Sequence, residues 1–334
     1  MSTQPPTREL ILSILGKQGQ ARVHDLATEI SIGKVALHRQ LKSLLADGLI
    51  QKHGSAPLVF YVLSREPVQI APLPDLSEAQ RRAIEREFLM ITPDGKVLPG
   101  IEGFTYWAGV YAKSKNPTEV AAEYVRRVED VQKLKTIDGC IDATIKIAQT
   151  FPDSPIERML FADVYSLPTF GRSKLARLVT HAKNAPDPLL ISMIVAIIRP
   201  LITQIVTTEK IDAVGYIPPT VPRPVQFVSE LTRSLALALP HLDLVKVMPG
   251  DIAIPQKSLS TTAERMLNAR QSIYPRAPLA PQYRNILLID DVVGSGASFQ
   301  ETAMKLKAQS DHPIRIIAFA LVGNLKGYDV VRQI

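Results

Sequence analysis

The side chains in this sequence best suited to chemistry are Asp290-Asp291 and, shortly after them, Gly294-Ser295-Gly296-Ala297-Ser298. The carboxylates end the phrase Asn285-Ile286-Leu287-Leu288-Ile289, whose aliphatic run predicts a strand buried on both faces. From Phe299 to Lys307 the spacing is helical. A small-residue loop between a strand and a helix offers unpaired N–H groups and the positive end of a helix dipole, which together suit a phosphate. Carboxylates repel phosphate, so the acidic pair suits sugar hydroxyls or a metal ion instead. Both halves together suit a ribose 5-phosphate. The bland alternative is an ordinary strand-turn-helix with a solvated Asp pair.

Four aliphatics, Asp-Asp, two aliphatics and a Gly/Ser loop resemble the signature with which phosphoribosyltransferases bind phosphoribosyl pyrophosphate (PRPP). The resemblance implies a PRPP site at Asp290, Asp291, Gly294, Ser295, Gly296, Ala297 and Ser298. It also implies Mg²⁺ held by Asp290 and Asp291 together with the pyrophosphate. Gly294 departs from the pattern, since that position usually carries a side chain, often a hydroxyl. Ser295 and Ser298 keep theirs.

The surrounding elements must hold that loop at a sheet edge. A new unit is read from Phe161-Ala162-Asp163-Val164-Tyr165 onward, with strands predicted at 211–217, 242–248, 285–290 and 314–322. Helices are predicted at 172–183, at 189–198 ending near Arg199-Pro200, and from Arg223 onward. Strands alternating with helices indicate an α/β fold with a doubly wound parallel sheet, its site at the strand carboxyl ends.

Residues 161–330 are similar to the ComF-like phosphoribosyltransferases. The matching phrases are Tyr165 with a basic helix ending at Lys183, Ile217-Pro218-Pro219 with Arg223-Pro224-Val225-Gln226, and Gln256, Leu259-Ser260 and Glu264-Arg265-Met266-Leu267-Asn268. In that reading Pro218, Pro219 and Arg223 approach pyrophosphate, with a cis bond conceivable at Pro218-Pro219. Arg265 joins Asp290 and Asp291 as a catalytic candidate, because leaving pyrophosphate needs cations such as Arg223, Lys257 or Arg265. Residues 249–271 fall where this fold has a hood over the site. The phrases Pro-Val-Pro and Arg-Gly-Phe-Asn, usual after the first strand, are absent.

The N-terminal stretch reads differently. Helices are predicted at 7–15, closed by Gly16 and Gly19, at 22–30 and at 34–47, with a turn at Ser31-Ile32-Gly33. A hairpin is predicted across Gly54-Ser55-Ala56-Pro57. In the third helix Leu37, Leu41, Leu44 and Leu45 make one stripe, and His38, Arg39 and Lys42 lie on another. This order resembles a winged helix-turn-helix, which implies DNA contacts from Lys34, Val35, His38, Arg39 and Lys42 on the third helix and from Lys52 and His53 in the wing. A winged helix used only for protein contacts is the alternative.

Residues 1–65 hold eight Lys/Arg against four Asp/Glu, more than half of the chain's net +7. The expected division is therefore a winged helix at 1–65, a mostly helical middle segment at 66–150 and a phosphoribosyltransferase-like domain at 151–334. Arg65 to Leu76, with Pro67, Pro72 and Pro74, reads as a linker. Ser77 with Gln80 reads as the capping box of a helix running to Met90, and further helices between Thr105 and Lys135 break at Asn116-Pro117.

With 46% hydrophobic and 21% charged residues, the 334-residue chain has a globular composition. One cysteine, Cys140, excludes an intramolecular disulfide and a cysteine-built zinc cluster. No apolar run of about 18–20 residues and no signal-peptide core is read, so the expectation is a cytoplasmic protein without a membrane partner. The expected partners are PRPP or another ribose 5-phosphate, DNA or another nucleic acid, and further copies of the chain. Three functions follow from the resemblances: a PRPP-responsive DNA-binding regulator, an Mg²⁺-dependent phosphoribosyltransferase acting on a base, or the effector of a reverse-transcriptase-associated antiphage system.

Overall fold

The computed structural model describes residues 7–64, 76–113, 115–221 and 223–324, the side chain of Lys257 excepted. The stretch expected to be a linker lies, apart from Leu76, outside them. Contacts divide the chain into two units, Met1–Ala71 and Pro72–Ile334.

In the first unit, α1 (Thr7–Gln18), α2 (Val23–Ile30) and α3 (Lys34–Ala46) precede a hairpin of β1 (Ile50–His53) and β2 (Phe60–Leu63). The hairpin pairs antiparallel from Ile50↔Leu63 to His53↔Phe60. Leu37, Leu41 and Leu44 of α3 join Ile11, Leu15, Leu26, Ile50 and Tyr61 in one buried cluster. One correction concerns α1, which runs through Gly16 to Gln18. Gly19, in the left-handed region at φ +78, follows its end.

The second unit begins with α4 (Glu78–Glu87), β3 (Leu89–Ile91), β4 (Val97–Pro99), α5 (Gly100–Tyr111) and α6 (Pro117–Lys133). The Ser77 hydroxyl accepts from the Gln80 amide and the Gln80 carboxamide accepts from the Ser77 amide, as the capping box requires. The helix stops at Glu87 rather than Met90, because Leu89-Met90-Ile91 pairs with Val97-Leu98-Pro99. Phe88, Phe104, Trp107, Tyr124 and Phe170 form the aromatic centre of this part, with the Phe88 and Phe104 rings 5.2 Å apart edge to face.

The chain continues through β5 (Ile141–Asp142), α7 (Thr144–Thr150), β6 (Ile156–Val164), β7 (Ser166–Leu167), β8 (Gly171–Arg172), α8 (Lys174–Asn184) and α9 (Pro188–Thr208). It ends with β9 (Ala213–Tyr216), α10 (Phe227–Leu235), β10 (His241–Leu242), β11 (Leu244–Lys246), α11 (Thr262–Ser272), β12 (Ile273–Pro275), β13 (Asn285–Val293), α12 (Ala297–Ala308) and β14 (Arg315–Gly323). Six strands form one sheet in the order β10-β9-β13-β14-β6-β5, parallel throughout except for β5.

Alternate residues of β13 serve opposite faces. Leu287 and Ile289 pack with α8, α9 and α10, whereas Ile286 and Leu288 pack with α7, α11 and α12. The sheet is therefore covered on both sides, and its strands read as continuous apolar runs for that reason. The described part of the segment expected to stand apart at 66–150, from Leu76 on, shares this unit: Leu89 and Ile91 join one face cluster, and Ile141 and Ile147 the other.

Two further expectations change. The strand predicted at 242–248 is divided: Leu242 ends a short parallel strand, while Leu244–Lys246 leaves the sheet and pairs antiparallel with Ile273–Pro275. The helix predicted to end near Pro200 continues to Thr208 with Pro200 inside it. An interior proline costs about 3 kcal/mol. Burying Ile202 and Ile205, 0% and 1% exposed, returns roughly 1.5–3 kcal/mol each, so packing outweighs the break. With mean hydropathy 2.2, Pro188–Thr208 is long and apolar enough by length and composition to cross a membrane, contrary to the sequence reading. Arg199 interrupts it, and seven of its side chains are buried, six of them isoleucine or leucine, against the sheet and neighbouring helices.

Topology then locates the crevice. From β9 the chain crosses by α10 on one face to β10. From β13 it crosses by α12 on the other face to β14, in the opposite direction. Such a reversal opens a cleft outside the carboxyl ends of the two diverging strands. Here those ends lead into Ile217-Pro218-Pro219 and into Asp290 to Gly294.

Candidate functional site

Buried aliphatics carry β13 up to Ile289, and the two carboxylates follow at its carboxyl end. The Asp291 amide donates to Asp290 Oδ1 at 2.7 Å, which fixes the first carboxylate against the backbone. Asp291 Oδ2 meets the Lys183 ammonium at 2.7 Å. Lys183 stands in the last turn of α8, so the resemblance-derived lysine and the acidic pair are brought together from 108 residues apart.

The electrostatics follow from this crowding. Burial, and then the Asp291 charge, push the Asp290 carboxyl well above the usual carboxylate range, against the pull of Lys183 and Lys246. For Lys183, burial opposes the charge, but Asp291 and Asp290 outweigh it and raise the ammonium above its ordinary value. Lys246 is lowered by burial, with Asp290 opposing. Its Nζ donates to Thr220 Oγ1 at 2.6 Å, tying β11 to the loop that follows β9.

Beyond the carboxylates, Gly296 adopts φ +78 and α12 starts at Ala297. The left-handed turn aims the chain into the helix at no Cβ cost. Ser295 is buried, and its Oγ accepts from the Ala297 amide at 3.3 Å. The amides of Ser295, Gly296 and Ser298 have no acceptor among the described residues. These are the open N–H groups of a helix start, and an anion is the partner they suit. Gly294 is not in the left-handed region, and a Cβ there would meet nothing within 4 Å. Neither the backbone nor packing requires glycine at that position.

The other sequence candidates divide. Pro218 and Pro219 border the crevice with trans peptide bonds, since among the described residues the cis bond is Ala56-Pro57. Arg223 donates through Nη1 to the Lys183 carbonyl, closing the end of α8 rather than standing free. Arg265 does not join the site. It is 5% exposed, and its Nε and Nη2 donate to the Leu259 carbonyl at 3.1 and 2.7 Å. The correction has a plain cause: a buried guanidinium must be bonded, and the chain folding back from Leu259 supplies the acceptor.

The remaining motif residues finish the same clasp. Gln256 donates to the Arg265 carbonyl and to Asn268 Oδ1. Glu264 Oε2 accepts from the Ser260 and Thr261 amides, both at 2.9 Å, so it caps α11 instead of pairing with Arg265. The Lys257 side chain lies outside the described residues. Lys246 and Thr220 went unread because a lysine in a two-stranded ribbon carries no local signal, and only the nonlocal β11–β12 pairing brings it near Asp290.

Among the described residues, no group of three or more His, Cys, Asp and Glu side chains is gathered as a metal site. Two carboxylates with phosphate oxygens nevertheless match the way Mg²⁺ is commonly held, so Asp290 and Asp291 fit that ion when a phosphate ligand completes its shell.

The first unit presents a separate surface. Lys34, His38, Arg39 and Lys42 of α3 and Lys52 of β1 are exposed, and Val35 between them is 79% exposed. Among the described residues none of these cations is in an ion pair; the pair in this unit is Arg8–Asp47. Compared with models of known families and with curated proteins, the chain matches none.

Proposed function

We propose that the second unit binds PRPP with Mg²⁺ and that the first is a winged helix-turn-helix that binds DNA, the whole acting as a PRPP-responsive regulator. The observation that carries the ligand reading is the switch-point loop itself: the open amides of Ser295, Gly296 and Ser298 beside Asp290 and Asp291. In this reading the amides and Ser298 hold the 5-phosphate, the carboxylates hold ribose hydroxyls and Mg²⁺, and Lys183 and Lys246 balance pyrophosphate. When bound, the metal supplies positive charge to the pyrophosphate oxygens. Arg265 is committed to Leu259, which favours a binder over a fast transferase.

PRPP with Mg²⁺ should raise the melting temperature by mass action. Asp290→Asn with Asp291→Asn should abolish that shift while the unliganded protein still melts cooperatively. An unchanged shift in the double variant sinks the ribose assignment.

The DNA reading rests on the unpaired cations of α3. Affinity for duplex DNA should fall with salt at a log–log slope near −4 if about four phosphates are neutralised. Arg39→Ala with Lys42→Ala should flatten the slope by roughly two and leave the PRPP shift unchanged. Any PRPP effect on DNA affinity must be matched by an equal DNA effect on PRPP affinity, and two independent isotherms would exclude the regulator.

Transfer of phosphoribose to a base is the second reading, favoured by Lys183 and Lys246 standing near the acidic pair where Arg265 was expected. Pyrophosphate release from PRPP across a panel of bases decides between the two.

A further inference from the structure

A second group of cations lies around the start and outer turns of α8, and among the described residues no carboxylate is ion-paired to it. Arg177 and His181 are four residues apart on that helix and so share a face, and Arg172 precedes its first turn. Arg177 Nη2 donates to the Arg172 carbonyl at 3.4 Å, and Nη1 donates to the Met90 thioether at 3.4 Å. Its Nε is buried with no partner. The Arg172 Nε donates to the Tyr165 hydroxyl at 3.3 Å, and His181 is exposed.

No carboxylate pairs with any of the three among the described residues. Burial, then Arg172, lowers the Arg177 pKa; burial, then Arg177 and Arg172, lowers that of His181. Arg158 shows the ordinary solution for a partly buried guanidinium in this chain, with Glu209, Asp138 and Asp142 at 2.5, 3.4 and 3.7 Å. A buried charge left without such partners is costly, and an oxyanion is the group that removes the cost.

We propose that Arg172, Arg177 and His181 form a binding site for the dianionic phosphate group of a small molecule. Two guanidiniums match a dianion in charge. Their planar N–H forks, with an imidazole one turn away, match several oxygens on one phosphorus better than the two of a carboxylate. Tyr124, buried, and Tyr111, 59% exposed at the end of α5, are both near enough to act on Arg177. The site shares no residue with the Asp290–Ser298 loop and does not rest on the PRPP reading.

The test uses the full chain without Mg²⁺, at constant ionic strength. Inorganic phosphate or a nucleoside monophosphate should raise the melting temperature relative to chloride or the parent nucleoside. The Asp290→Asn, Asp291→Asn protein should respond like the wild type. Arg172→Ala with His181→Ala, a partly buried and an exposed position, should lose the response. Arg177→Met should lose it too and should melt higher than the unliganded wild type, because an uncompensated cation is gone. A tenfold preference for the nucleotide assigns a nucleotide ligand, and equal affinities assign free phosphate. No shift with either probe, or an undiminished shift in the Arg172→Ala, His181→Ala protein, overturns the site.

Discussion

The loop at 294–298 and the segment at 256–268 both look functional in the sequence, yet they use their polar groups in opposite ways. In the loop, the amides of Ser295, Gly296 and Ser298 stay without acceptors among the described residues, and the adjoining carboxylates face lysines that reach them from distant elements. In the segment, Gln256, Glu264, Arg265 and Asn268 spend their hydrogen bonds on one another and on the nearby backbone. Open groups are available to a ligand, whereas mutually satisfied groups hold a shape. A residue's type does not distinguish the two roles; its partners do.

The sharpest way to break this contrast is Arg265→Ala. Leaving the Leu259 carbonyl unpaired inside the clasp should lower stability by about 2–3 kcal/mol, with PRPP affinity of the folded protein within about twofold. Denaturant melts and ligand titration read the two effects separately. Unchanged stability with lost binding would return Arg265 to the site and end the contrast.

A smaller effect is expected at Asp163, another carboxylate at the carboxyl end of a sheet strand, to which no lysine among the described residues is ion-paired. Burial, opposed by Lys135, Ser173 and its own backbone contact, pushes this carboxyl up to about 6. Its folded pKa lies above its unfolded value, so its contribution is fully present below about pH 4 and is lost as pH rises through about 6. Asp163→Asn should therefore remove a downward step in stability across that window. The gain above pH 7 should be about 1–2 kcal/mol, discounted for the water that still reaches the group. Melting curves from pH 4 to 8 that keep the step in the variant would assign it elsewhere.

The smallest change should come from Gly294→Ser. Because the position is open and not left-handed, stability should move by no more than about 0.5 kcal/mol. The added hydroxyl should tighten PRPP by the value of one hydrogen bond, about 0.5–1.5 kcal/mol. Loss of affinity would mean that the loop is narrower than its unliganded form.

Much of this was legible one residue at a time. The stripe Leu37, Leu41, Leu44 announced which face of α3 is buried, and with it which cations are exposed, because helical spacing alone sorts a helix into two sides. The run Ile286 to Ile289 announced a strand with no wet face, since both sheet faces are covered. Asp290, Asp291 and the Gly/Ser loop could be read for the same reason: strand end, turn and helix start are neighbours in the chain as well as in space.

What local pattern could not reach was set by distance along the chain. Nothing in Leu244-Val245-Lys246 says that it leaves the sheet to pair with Ile273–Pro275, and nothing near Pro200 says that Ile202 and Ile205 repay a break in the helix. Arg265, Lys183 and Arg177 are all basic residues on or beside helices. Their partners, a backbone carbonyl, a carboxylate, and for Arg177 a carbonyl and a thioether with no carboxylate among the described residues, were assigned only by the packing of α8, α11 and the sheet. The sequence by itself determined the periodicities, the acidic pair and the small-residue loop, because these depend on residues within a few positions of each other. The tertiary structure decided which charges are consumed and which stay open, because a charge's fate depends on whatever the fold brings within hydrogen-bonding distance of it.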